Sequence, residues 1–115
     1  MTRVLGADTA IGPLVRALRA DGALVRVVPA GADKEESLAR FGDALRFPEW
    51  YGHNYDALYD CLLAVVHAAD GDIRVVWDGT APLRTEHPDV FDTVVRLLSD
   101  AEDERPTFRA TVVDR

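Results

Sequence analysis

The chain has 115 residues, 48% of them hydrophobic, with a net charge of −7 and a pI of about 4.8. This is enough for one folded domain with its own core, and the composition fits a folded protein, not a disordered chain. The acidic balance argues against nonspecific binding to nucleic acid and is compatible with steering to a basic protein, although acidity alone is more simply a device for solubility. One cysteine excludes an internal disulfide and fits a reducing compartment. No stretch is apolar for long enough to act as a signal peptide or to span a bilayer, so a cytoplasmic location is expected.

Residues 2–21 carry no evident chemistry. Pro13 suits the opening of a short helix with Leu14, Val15, Ala17 and Leu18 apolar and Arg16 and Arg19 solvated. The segment is expected to pack across an edge or end of the domain. Asp21-Gly22 reads as a turn. Residues 23–29 are rich in β-branched side chains and read as the first strand. Residues 33–45 read as a helix, with Asp33 as cap, Glu35 and Glu36 in the first turn, and Leu38, Phe41, Ala44 and Leu45 as the buried stripe. Gly42 inside it costs up to about 1 kcal/mol relative to alanine.

Residues 47–62 combine a turn with a helix start. Pro48, three aromatics and Gly52 build the turn, with the glycine expected at positive φ. Asn54 is a good N-cap, and Ala57, Leu58, Cys61, Leu62 and Val65 form an apolar stripe to about residue 68. Asp56 and Asp60 lie one turn apart on another face, beside Tyr59. The second strand is 73–78, with Trp77 in the core. Residues 79–87 are expected to be a loop without regular structure. A helix follows from about Pro88, carries Val90, Phe91, Val94, Val95, Leu97 and Leu98, and ends in the acidic run Asp100, Glu102, Asp103, Glu104. Residues 108–113 form the last strand. Strands alternating with helices predict an α/β fold with a small parallel sheet.

Each chemical reading has a plainer rival. Asp56 and Asp60 have the residue types of a general acid/base pair, but two carboxylates on one helix more often form a solvated face. His53, His67, His87 and one cysteine lack the spacing of a zinc site, so no metal is expected. Cys61 sits on the apolar stripe, where a cysteine is an inert small hydrophobe. No Ser-His-Asp set, phosphate loop or dinucleotide fingerprint is present, and no cofactor is implied. Of the four clustered aromatics, Tyr51 and Tyr55 are expected to be partly structural, and Trp50 and Tyr59 exposed.

Pro48, Glu49, Trp50-Tyr51, Gly52, a variable residue, Asn54 and then Asp56-Ala57-Leu58-Tyr59-Asp60-Cys61-Leu62 resembles the barstar family of intracellular inhibitors of secreted ribonucleases such as barnase. Beyond this stretch the resemblance is one of element order. It divides a single domain, 1–115, into an N-terminal extension, 1–22, and a barstar-like core, 23–115. It implies a three-stranded parallel sheet packed by helices, and a non-enzymatic protein that is monomeric when free. Its partner would be a basic extracellular, guanyl-specific ribonuclease, bound one to one. The aromatic turn and acidic helix would plug the active site. Asp60 would replace the scissile phosphate and Asp56 would pair at the rim. Trp50 and Gly52 would pack on the substrate-facing surface together with His53, Asn54 and Tyr59. Leu63 would extend the contact, and Asp100 would add a peripheral ion pair. Trp50 stands where the family has tyrosine, and His53 where an acidic residue is common. Two alternatives remain open: an immunity protein against a different toxin, and a small hydrolase using Asp56, Asp60 and His53. The hydrolase requires a concave, ligand-sized pocket around the carboxylates, and the inhibitor a convex or shallow face.

Overall fold

A computed structural model describes all residues, Met1–Arg115. Its elements run β1 (Arg3–Leu5), α1 (Ile11–Ala20), β2 (Leu24–Pro29), α2 (Lys34–Leu45), α3 (Tyr55–Ala68), β3 (Ile73–Asp78), α4 (Ala81–Glu86), α5 (Pro88–Glu104) and β4 (Phe108–Val113). The strands form one parallel sheet in the order β1-β4-β3-β2. β3 is a central strand, and Val75, Val76 and Trp77 are fully buried, as their continuous apolar run requires of a strand covered on both faces. On one face the main core gathers side chains from α2, α3 and α5. Trp77 lies at its centre, stacked on Phe91 and tilted against Phe41, each at a centroid distance of 5.8 Å. On the other face α1 covers a smaller cluster of Val15, Val25, Val76 and Val113.

Two expectations are corrected. The sheet has four strands, not three, because Arg3, Val4 and Leu5 pair with Thr111, Val112 and Val113. This strand lies within the segment read as an extension without strand structure. At three residues, on an edge and largely exposed, it has no apolar alternation to announce it. Residues 79–87 are not a loop throughout, since they contain α4. Pro82 stands in its first turn, where a missing N–H costs nothing. The buried Thr80 hydroxyl donates to Asp114 Oδ1 (2.9 Å), and Arg84 Nε donates to Asp114 Oδ2 (2.8 Å), tying α4 to the end of the chain.

α2 and α3 begin where their caps predict. Asp33 accepts from the Glu36 N–H, and Asn54 Oδ1 accepts from the Ala57 N–H, both at 2.8 Å. The buried side of α3 is Leu58, Cys61, Leu62 and Val66. Ala57 and Val65, assigned to that stripe from sequence, are only half-buried.

Candidate functional site

The turn between α2 and α3 is anchored through Tyr51. Its ring lies against α2 at Gly42, where an added Cβ would meet the ring at 3.0 Å. Gly42 thus makes room for an aromatic ring, which accounts for a glycine in mid-helix. The Tyr51 hydroxyl donates to the Leu38 carbonyl (3.1 Å), and its ring meets Phe47 and His53 edge-on at 4.9 and 4.8 Å. Burial, with Cys61 as a second cause, pushes the Tyr51 pKa up to about 12. The residues at positive φ here are Arg46 (55°), which ends α2, and His53 (48°), not Gly52 as expected. At Gly52 a Cβ would lie 3.1 Å from Asn54 Nδ2 and would press on the side chain that caps α3. Trp50, 76% exposed, projects from this anchored turn.

α3 and α5 pack together, and between them lies a groove of about 700 Å³, open to solvent and lined by Asp56, Tyr59, Asp60, Leu97, Asp100, Asp103 and Glu104. Five of these seven side chains are carboxylates. None of the five forms an ion pair or a side-chain hydrogen bond within the chain. Like charges so gathered repel, and the fold offers no internal compensation. Tyr59 is half-buried against the core, not exposed as expected. Its pKa is raised first by burial and then by Glu104, Asp100, Asp103 and Asp60.

The family model described as Barstar (barnase inhibitor) matches residues 25–113. The chain belongs to the barstar family. The match begins inside β2, so β1 and α1 lie outside it. No curated protein matches the chain.

The residues singled out from sequence by this likeness separate into groups. Asp56, Tyr59, Asp60 and Asp100 come together in the groove. Trp50, Gly52, His53 and Asn54 lie on the turn outside it, and Leu63 is half-buried against the core. Leu97, Asp103 and Glu104 were missed. Leu97, Asp100 and Glu104 recur at i, i+3 and i+7, so one face of α5 was visible in the spacing. What spacing alone does not give is that this face meets the acidic face of α3.

A concave space around the carboxylates is therefore present, contrary to the convex or shallow face expected of an inhibitor. No histidine, lysine or arginine faces this space, so developing negative charge would meet only like charge. His53 lies in a separate hollow with Asp33, Glu35 and Glu36, so the proposed set of Asp56, Asp60 and His53 is not assembled. No three acidic, histidine or cysteine side chains converge in metal-holding geometry. Cys61 is buried behind the groove, and burial, then Asp60, raises its thiol pKa, disfavouring the nucleophilic thiolate.

Proposed function

We propose that this protein inhibits a basic, barnase-like extracellular ribonuclease by filling its active site with the α3–α5 groove and the aromatic turn. The observation that carries the reading is the groove itself: five carboxylates on two packed helices, none with a counter-ion in its own chain. A ribonuclease active site presents the complement, cationic side chains arranged around a phosphate. Asp60 is the stand-in for the scissile phosphate, accepting charge-assisted hydrogen bonds from a guanidinium. Asp56 pairs at the rim. Asp100, with Asp103 and Glu104 beside it, meets outlying cations. Trp50 and Gly52 pack on the substrate-facing surface, with His53, Asn54, Tyr59 and Leu63 completing the contact. The concave form suits this role, because a protruding cationic side chain of the enzyme enters the groove and loses its water there. The complex is one to one, formed in the cytoplasm of the producing cell, and it protects that cell.

Titration of purified protein into a secreted barnase-like ribonuclease, with RNA cleavage as readout, tests the reading. Stoichiometric loss of activity is expected, with an association rate that falls as salt rises, because the encounter is electrostatically steered. Full ribonuclease activity at excess protein across a panel of such enzymes overturns it.

A further inference from the structure

The opposite side of the sheet carries the opposite charge. Arg74 and Arg109 alternate with Ile73, Val75, Phe108 and Ala110, all of which enter the main core, so both arginines face the α1 side. They are direct neighbours across β3 and β4. Arg3, paired with Thr111, lies on the same face. Together these side chains line a hollow of about 270 Å³ beside Leu18 of α1, with Glu102 at its edge. Two arginines side by side on neighbouring strands repel, and such a pair is destabilising unless something neutralises it. Neither Arg3 nor Arg109 forms an ion pair, and Arg74 has only the exposed Asp72 at 3.6 Å. Glu102 is already paired with the N-terminal ammonium of Met1 (3.4 Å), and its carboxylate also accepts from the Ala110 N–H (2.8 Å) and the Thr2 hydroxyl (3.2 Å).

Each guanidinium is held in place by the protein. Arg109 Nη1 donates to the Phe108 carbonyl (2.9 Å), and Arg74 Nη1 to the carbonyls of Ile73 and Thr107 (both 3.0 Å). Arg3 Nη2 donates to Thr111 Oγ1 (3.3 Å). A guanidinium has five N–H donors, so most remain free after these anchors. Anchored, planar, multiply donating cations around a small hollow suit a tetrahedral oxyanion with several acceptor oxygens. At about 30 Å³ per displaced water, the hollow admits a phosphate or diphosphate group.

We propose that Arg3, Arg74 and Arg109, with Thr111, form a binding site for a small phosphate-bearing anion on the α1 face, separate from the acidic groove. The test uses the full chain without any ribonuclease, so its outcome is independent of the inhibitory role. Inorganic phosphate and pyrophosphate are titrated separately in low-salt chloride buffer, followed by calorimetry and by amide and arginine Nε–H NMR shifts. Saturable binding of one anion per chain is expected, with shifts concentrated at Arg3, Arg74, Arg109 and Thr111. Tighter binding of pyrophosphate assigns a diphosphate group to the site, and equal binding assigns a single phosphate. Arg109→Gln and Arg74→Gln each weaken binding roughly tenfold or more, the loss expected for hydrogen bonds to a charged group. Arg40→Gln, on the other face, leaves it unchanged. Circular dichroism confirms that the variants fold. Absence of saturable heat, or shifts spread evenly over Arg16, Arg19 and Arg40 and insensitive to Arg109→Gln, overturns the proposal.

Discussion

Glu102 and Asp103 are adjacent in the chain, yet one points into the protein and the other into the groove. Glu102 is 5% exposed and is satisfied by the Ala110 N–H, the Thr2 hydroxyl and the N-terminal ammonium of Met1, beyond the point where β1 pairs with β4. Asp103 is exposed in the groove with four other carboxylates and has no partner in its own chain. The same chemical group thus serves the fold at one position and is left unused by it at the next. Partners separate the two roles, because a carboxylate with buried donors stabilises the native state, whereas one among like charges only repels within it. Substitutions on the two sides should therefore act on different measurements.

The largest effect is expected at Asp60. In the proposed complex it is desolvated against cationic groups of the ribonuclease, and removing one member of a buried ion pair costs roughly 3–5 kcal/mol. That is a few hundredfold to several thousandfold in Kd. Asp60→Ala should weaken inhibition by this much while the melting temperature stays within a few degrees, since the change relieves repulsion in the free protein. Asp60→Asn should be almost as poor, because shape is kept and charge is lost. Inhibition by Asp60→Ala equal to that of the parent removes the acidic groove from the mechanism.

Glu102→Ala should produce the mirror image. It leaves the Ala110 N–H without its acceptor in a buried place, which costs about 1–3 kcal/mol. Denaturant unfolding should show this loss, and ribonuclease inhibition under conditions where the variant is folded should be unchanged. A drop in inhibition without a drop in stability contradicts the division between the two sides of α5.

The same division sets how much was legible in sequence. The caps Asp33 and Asn54, the buried Leu38, Phe41 and Leu45 of α2 and the central position of Trp77 follow from local spacing, and the structure has them, whereas Ala44 of the expected stripe is only half-buried. The α3 half of the groove, Asp56, Tyr59 and Asp60, was visible for the same reason. Asp103 and Glu104 were not, because only packing of α5 on α3 places them opposite Asp60. β1 was invisible because an edge strand of three residues is defined by its pairing partner, not by its own pattern. α4 was hidden by Pro82, which reads equally as a turn. Gly42 appeared as a local cost until the ring of Tyr51, nine residues on, was seen to occupy the space.

Cys61 sharpens the comparison from behind the groove. It neighbours Asp60 in sequence, yet it is 2% exposed and packs in the core. Cys61→Ala should cost about 1 kcal/mol of stability, by analogy with small large-to-small core changes, and leave inhibition almost intact. Loss of inhibition with the fold preserved requires a role for the thiol.

The smallest effect at neutral pH, and the most specific signature, belongs to Tyr51. Tyr51→Phe removes one hydrogen bond to the Leu38 carbonyl, an acceptor within α2 that the helix pattern already engages. The cost at pH 7 should therefore fall near the low end of the hydrogen-bond range, about 0.5 kcal/mol. Alkaline solution changes the order. The folded pKa of Tyr51 is raised from 10.0 to about 12, so the folded state favours the neutral phenol. A group with a raised folded pKa contributes stability that is fully present below its unfolded value and is lost as pH rises through its folded value. The contribution from Tyr51 is thus intact below pH 10 and disappears between pH 10 and about 12. Phenylalanine has no proton to lose, so Tyr51→Phe should lose less stability than the parent over that window. Tyr55 and Tyr59, whose pKa values are also raised, are present in both proteins and cancel in the difference. Unfolding free energies of parent and variant, measured at intervals from pH 8 to pH 12, should converge above pH 10 and then cross. Parallel curves across the whole range show that the Tyr51 hydroxyl is not buried in solution, and that the aromatic turn is not anchored to α2 through it.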